Sequence, residues 1–192
     1  MLSANFAGDA PCNKPTIQLF GTKCFRAICL WPNRKFDTFA VAKRRRMYYN
    51  NHMQTIFSTK SSDETEKLAE EFARTLVAGD VVLLNGDLGA GKTHFAKGLA
   101  RGLGVCDVVT SPTFALHNSY RGSSLMFNHF DFYRVESAQE VEMLGLHEFF
   151  CDKSGVCAIE WSENVRELLP AKSIVVNIET VSDNARKITI ER

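Results

Sequence analysis

Acidic residues are almost missing from the start of this chain. Residues 1–60 hold only Asp9 and Asp37 against ten Lys or Arg, a local excess of about +8. The chain of 192 residues has a formal net charge of only +1, so residues 61–192 carry the other 13 of 23 basic and 20 of 22 acidic residues. Two segments of opposite charge have been joined. Residues 1–57 also lack helical or strand periodicity and culminate in Lys43-Arg44-Arg45-Arg46, the composition of an organellar transit peptide. A disordered basic tail on a cytoplasmic protein is the other reading. Serine is scarce there and arginine abundant, which favours a mitochondrion over a plastid. Lys23 and Arg26 break the apolar run that a secretory signal needs. No stretch approaches the ~18 apolar residues of a membrane span, so no membrane association is expected. The cysteines at 12, 24, 29, 106, 151 and 157 include no CxxC pair, which leaves a zinc site unsupported and suits a reducing compartment. No basic patch interleaved with aromatics points to direct contact with nucleic acid.

From Ser61 the chain becomes regular. Ser61 with Glu64 is a capping box, and Leu68, Phe72 and Leu76 recur at helical spacing. Gly79-Asp80 ends that helix. Val81-Val82-Leu83-Leu84 has no polar alternation, as in a strand buried on both faces of a parallel sheet. A glycine-rich turn follows, and a helix runs from Lys92 to about Leu103, with Phe95, Leu99 and Leu103 on one face and Gly102 and Gly104 as stop signals. Further strands are expected at 125–131 and 156–160. A helix capped by Ser137 and Glu140 should reach Phe150, and a short one should cover 162–168. Strands at 174–178 and 187–191 flank Ser182-Asp183-Asn184 as a terminal hairpin. This alternation predicts an α/β fold: one domain over 58–192, with a mainly parallel sheet flanked by helices and a C-terminal hairpin. Glu136, Glu140, Glu142 and Glu148 read as a solvated helix face.

The chemistry sits in the glycine-rich turn. Gly86-Asp87-Leu88-Gly89-Ala90-Gly91-Lys92-Thr93 satisfies GxxxxGK[ST] in full. The glycines permit positive φ and let backbone N–H groups approach a β-phosphate, while the following helix directs its positive end at the same charge. Lys92 would reach the β and γ oxygens and Thr93 would ligate Mg²⁺. The buried-type strand before the motif and the amphipathic helix after it mark a P-loop that binds ATP with Mg²⁺. A further carboxylate is expected at the carboxyl end of another strand. Asp131 and Glu160 both qualify, each able to hold Mg²⁺ through water or to activate the attacking water.

Four further segments occur in order after the loop: Ser111-Pro112-Thr113-Phe114, His129-Phe130-Asp131-Phe132-Tyr133-Arg134, Leu144-Gly145-Leu146 and Ile159-Glu160-Trp161. With them, residues 58–192 resemble the TsaE (YjeE) ATPases of bacterial tRNA threonylcarbamoyladenosine synthesis. The resemblance implies that Lys92 and the loop amides bind the phosphates, with Thr93 and Glu160 on the metal. It makes Asp131 the Walker-B-like residue required for hydrolysis. Ser111 and Thr113 become a switch that senses the γ-phosphate, and Trp161 the aromatic beside the metal acid. Ser62 and Thr65 match a nucleotide-side segment before the first helix, and Arg186 a basic residue of the last hairpin. His94 replaces a threonine usual in the family, beyond the phosphate turn, where little effect is expected. His129 is expected to pack or cap. The resemblance further implies an ATPase of low activity alone, which resets a TsaD-type threonylcarbamoyl transferase and its associated subunit and meets tRNA only indirectly.

Other P-loop activities find less support. A small-molecule or nucleoside kinase would need a lid and an acceptor pocket, yet only about 40 residues separate Thr93 from Tyr133. The domain has no NKxD base-reading motif of a GTPase and no LSGGQ signature of a transport ATPase. A non-catalytic, ATP-gated binding module stays open.

Overall fold

The computed structural model describes residues 54–192. The segment read as a leader lies outside the described residues up to position 53. In chain order the elements are β1 (Gln54–Thr59), α1 (Ser62–Ala73), β2 (Val81–Asn85), α2 (Lys92–Gly102), β3 (His117–Arg121), β4 (Met126–Asp131), α3 (Ala138–Met143), β5 (Gly155–Glu160), β6 (Ile174–Thr180) and β7 (Arg186–Glu191). Two 3-10 helices, Leu146–Cys151 and Ser162–Leu168, flank β5 in sequence.

All seven strands join one sheet in the order β1-β7-β6-β2-β5-β4-β3. The middle four run parallel, with β2 paired to β5 and β6 and β4 paired to β5. Both margins are antiparallel, through β3–β4, β6–β7 and β1–β7. The expected parallel sheet with its terminal hairpin is therefore present, and the margins make it mixed. Residues Gln54–Phe57, assigned to the leader from composition, belong to β1 and hence to the folded domain. This strand shows mostly exposed side chains, so it carried no apolar signal.

Strand alternation sorts the core into two layers. Val82, Leu84, Phe127, Val156, Ala158, Val176 and Ile178 pack on one face with Phe95 and Leu99 of α2 and Ala69 and Ala73 of α1. Val81, Phe130, Cys157 and Ile159 face the other way, towards Val141, Phe150 and Val165. Helix α1 starts as expected: Ser61 caps it by accepting from the Glu64 amide at 3.1 Å, and Glu64 reaches back to the Lys60 amide at 2.9 Å.

Helix α2 crosses α1 along a seam of small residues. A Cβ on Gly98 would lie 2.2 Å from the Glu66 carbonyl oxygen, and one on Gly102 would lie 2.4 Å from that of Glu70. Gly102 is the last residue of α2, at the helix end read from the sequence, and is a packing residue as well. The stop is Gly104, at φ +79°, where the Gly104 and Val105 amides bond back to Arg101 and Ala100. The expected 137–150 helix is broken. It ends at Met143, Gly145 takes φ +70°, and a 3-10 turn completes the span. Among the described residues no helix is long and apolar enough to cross a membrane.

Candidate nucleotide and metal site

The carboxyl ends of β2, β4 and β5 bring the site together. At the end of β2 the chain enters the glycine turn. Gly86 takes φ +148°, and a Cβ there would lie 2.4 Å from the Ile178 carbonyl oxygen, so only glycine lets the turn lie against β6. Asp87, Leu88 and Gly89 form the exposed crest, Ala90 is buried beneath it, and Gly91 at φ +108° opens α2 with no side-chain cap. The amides of the first turn of α2 are consequently not claimed by a capping side chain, the arrangement in which a helix start attracts an anion.

Lys92 lies at that helix start. Its Nζ donates to the Gly86 carbonyl at 2.6 Å and the Asp87 carbonyl at 2.9 Å, and it sits 4.0 Å above the Trp161 ring. Burial pushes its pKa below the ordinary lysine value, against the pull of the carboxylates of Glu160, Glu163, Asp131 and Asp87. A phosphate group brought to this ammonium would relieve that penalty. Thr93, one residue on, donates from Oγ1 to Glu160 Oε1 at 3.0 Å.

The two acids are aligned by sheet register. Asp131 ends β4 and Glu160 ends β5, and they are direct partners across the parallel pair. Both are buried. Their surroundings differ. Glu160 faces Thr93 of the phosphate loop and accepts from His129 Nε2 at 2.9 Å. Asp131 faces the loop before β3: its Oδ2 lies 2.6 Å from both Ser111 Oγ and Thr113 Oγ1, and these hydroxyls are 2.7 Å apart. With the carboxylate ionised, that triangle of three contacts has only two hydrogens to share. The Tyr133 amide donates to the other carboxylate oxygen at 3.1 Å.

Arg186, at the start of β7, grips the phosphate loop from outside. Its Nε donates to the Ala90 carbonyl at 2.8 Å, while Nη1 donates to the carbonyls of Ser182, Asp183 and Ala185 in the hairpin turn. Trp161 occupies a left-handed conformation at φ +58° directly after Glu160 and lies 4.9 Å from the Tyr133 ring. Ser62 is an exposed first-turn residue of α1. The buried Thr65 hydroxyl bonds the Ser61 carbonyl and Thr59 Oγ1, so it ties β1 to the α1 cap. His94 is directed away from the phosphate turn, with Nδ1 2.8 Å from Glu66 Oε1.

The structure therefore gathers Gly86–Thr93, Glu160, Trp161 and Arg186 at one place, with Asp131 on the neighbouring strand and Ser111 and Thr113 in the loop before β3. These residues suit a triphosphate carrying Mg²⁺. The described residues hold no cluster of three or more His, Cys, Asp or Glu, and Mg²⁺ characteristically takes one or two protein oxygens besides phosphate oxygens and water.

A family model described as "Threonylcarbamoyl adenosine biosynthesis protein TsaE" matches residues 59–188, a span that includes every one of these side chains. The chain belongs to the TsaE family. Curated TsaE relatives agree. The tRNA threonylcarbamoyladenosine biosynthesis protein TsaE of Bacillus subtilis (strain 168) is 42% identical over 71% of this chain and 84% of its own length. The protein of that name from Rickettsia conorii is 40% identical over 68% and 74%, respectively. The crystal structure of Bacillus subtilis YdiB superposes with a TM-score of 0.63 and 36% identity, covering 74% of this chain and 88% of that one. The TsaE-like resemblance carried by the motifs and the fold thus agree.

The sequence reading expected His129 to pack or cap. It is wholly buried, but it also bonds Glu160, a contact that reading missed. The signal was available: His129 precedes Asp131 by two residues, so strand alternation puts both on the face that bears Glu160.

Proposed function

We propose that this TsaE-family protein is an Mg²⁺-dependent ATPase that supports threonylcarbamoylation of the adenosine beside the anticodon of ANN-reading tRNAs. In this reading it resets a TsaD-type transferase and that enzyme's associated subunit between turnovers, meeting tRNA only through them. The supporting observation is that Asp131, the acid assigned to hydrolysis, is bonded to both hydroxyls of the loop that would sense the γ-phosphate.

The bound Mg·ATP supplies the phosphoanhydride and the metal charge that offsets the phosphate oxygens. The chain's own residues do the rest. The loop amides and the first turn of α2 hold phosphate, and the Lys92 ammonium exchanges the Gly86 and Asp87 carbonyls for phosphate oxygens. Thr93 and Glu160 take the metal side. Ser62 and Thr65 stand on the nucleotide side. For Asp131 Oδ2 to orient a water, Ser111 and Thr113 must turn their hydroxyls away from it. The loop that frees the acid is then the loop that changes shape, which links hydrolysis to the surface offered to a partner. The segment before β1 acts as the organellar leader in this reading, with a mitochondrion favoured.

The test is reconstitution with tRNA, the threonylcarbamoyl-AMP adduct and the transferase, following modified nucleoside by mass spectrometry over several turnovers. ATP turnover should be slow alone and rise with the partner. Lys92→Ala should lose ATP binding, and Asp131→Asn should retain nucleotide while losing multiple turnover. Undiminished multiple turnover without this protein, or with Asp131→Asn, refutes the resetting role. A fluorescent fusion of residues 1–53 that stays in the cytosol refutes the leader.

A further inference from the structure

His129 has no exposed surface and is stacked near Phe127, with ring centroids 6.0 Å apart. An apolar side chain would serve that packing, and a buried imidazole is more costly because both ring nitrogens need partners. Only one has a partner. Nε2 lies 2.9 Å from Glu160 Oε1, whereas Nδ1 is buried without a hydrogen-bond partner. A carboxylate only accepts, so the proton must be on Nε2.

That single donated bond has a definite target. Glu160 Oε1 receives both His129 Nε2 and the shorter contact of Thr93, at 3.0 Å, while Oε2 has only the longer Thr93 contact at 3.4 Å. The two donors pin one oxygen and leave the other with lone pairs to spare. We propose that His129 is a positioning residue for magnesium: it fixes the Glu160 carboxylate so that its second oxygen is presented to the metal side of the phosphate loop. Being wholly buried, His129 acts only through Glu160. The proposal rests on the Mg·ATP reading of the site.

Calorimetric titration of ATP, with Mg²⁺ and again in EDTA, separates this role from simple packing. Three variants of the full chain are compared with wild type: His129→Leu fills the space without a donor, His129→Gln places an amide N–H near the position of Nε2, and His129→Asn is too short to reach Glu160. Partners that orient a metal ligand contribute about 10–100-fold to metal affinity. His129→Leu and His129→Asn should therefore need about 10–100-fold more Mg²⁺ for half-saturation. ATP affinity in EDTA should hold within about threefold, and His129→Gln should recover most of the Mg²⁺ dependence. If His129→Leu does not fold, the Gln and Asn pair carries the same contrast. Equal Mg²⁺ dependence in Gln and Asn variants, or an equal loss with and without metal, overturns the role of His129. A wild-type chain whose ATP binding ignores Mg²⁺ overturns the reading of the site as well, so the two failures are distinct.

Discussion

Substituting Gly98 by alanine tests whether the seam between α1 and α2 holds the phosphate-binding helix in place. The new Cβ would lie 2.2 Å from the Glu66 carbonyl oxygen, 2.6 Å from the Ala69 Cβ and 2.9 Å from the Glu66 carbonyl carbon. Ordinary contacts begin near 3.4 Å, so α2 must retreat by roughly 1 Å, and the obstacle is helix backbone that cannot rotate away. Overpacking of this kind costs about 1–3 kcal/mol. The better helix propensity of alanine returns up to ~1 kcal/mol. The expected net loss is about 1–2 kcal/mol, a fall in Tm of about 4–8 °C for a domain of this size. Lys92 begins the same helix six residues earlier, about 9 Å along its axis, so the retreat also moves the first turn and should weaken ATP binding. Urea and thermal unfolding monitored by circular dichroism give the stability, and calorimetry gives the affinity. Lys97→Ala, at a half-buried neighbouring position, is the control and should stay within about 0.5 kcal/mol. If Gly98→Ala is as stable as wild type or more so, the helices separate freely, and the seam does not set the position of α2.

Arg186→Ala removes the donors that hold the Ala90 carbonyl and the 182–185 turn, so ATP affinity should fall by about tenfold, roughly 1.4 kcal/mol. Lysine at 186 should recover only part of this, and titration calorimetry will check both. Glu66 is held below the ordinary carboxylate range: burial opposes the shift, but hydrogen bonds from His94 and Arg101 outweigh it. A carboxyl depressed in the fold stabilises above its unfolded pKa and loses that contribution as pH falls through the folded one. Glu66→Gln should therefore cost about 1 kcal/mol at pH 7 and progressively less below pH 4.5, by urea unfolding across that range. Burial pushes the Cys157 thiol up to about 12. Iodoacetamide at pH 8 should therefore label the exposed Cys151 long before Cys157, as read by peptide mass spectrometry.

Legibility followed how local each signal is. The phosphate loop was plain because the steric demands of Gly86 and Gly91 and the chemistry of Lys92 and Thr93 lie in eight consecutive residues. Strands β2 and β5 were plain because both faces are largely buried and their residues are apolar up to the last one, Asn85 and Glu160. The margins were not. His117–Arg121 of β3 is polar and half-exposed, and Gln54–Thr59 of β1 is mostly exposed, so neither carries the alternation that marks a strand. Gly98 and Gly102 have the opposite difficulty. Glycine in a helix reads as a weak point or a stop, and only the second helix, contributed by residues some thirty positions earlier, shows them to be contact points. Asp131 and Glu160 could be named individually, but their pairing depends on register between strands 29 residues apart. Which hydroxyls reach each acid likewise lies in the tertiary structure.

The pairing of β1 with β7 has a consequence for how the protein is made. Thr59 partners Arg186 and Gln54 partners Glu191, each roughly 130 residues later. Translation at ~5–20 residues per second separates the two halves of this pair by about 6–26 s. Central strand β2 likewise waits for both its neighbours, β5 and β6. Val81–Leu84 has no strand on either side until β5 is made roughly 75 residues later, and the β1 margin of the sheet cannot form until β7 is made. The nascent chain is therefore a long-lived unpaired strand donor, and loss of β7 (Arg186–Glu191) would leave β1 with no neighbour in the sheet.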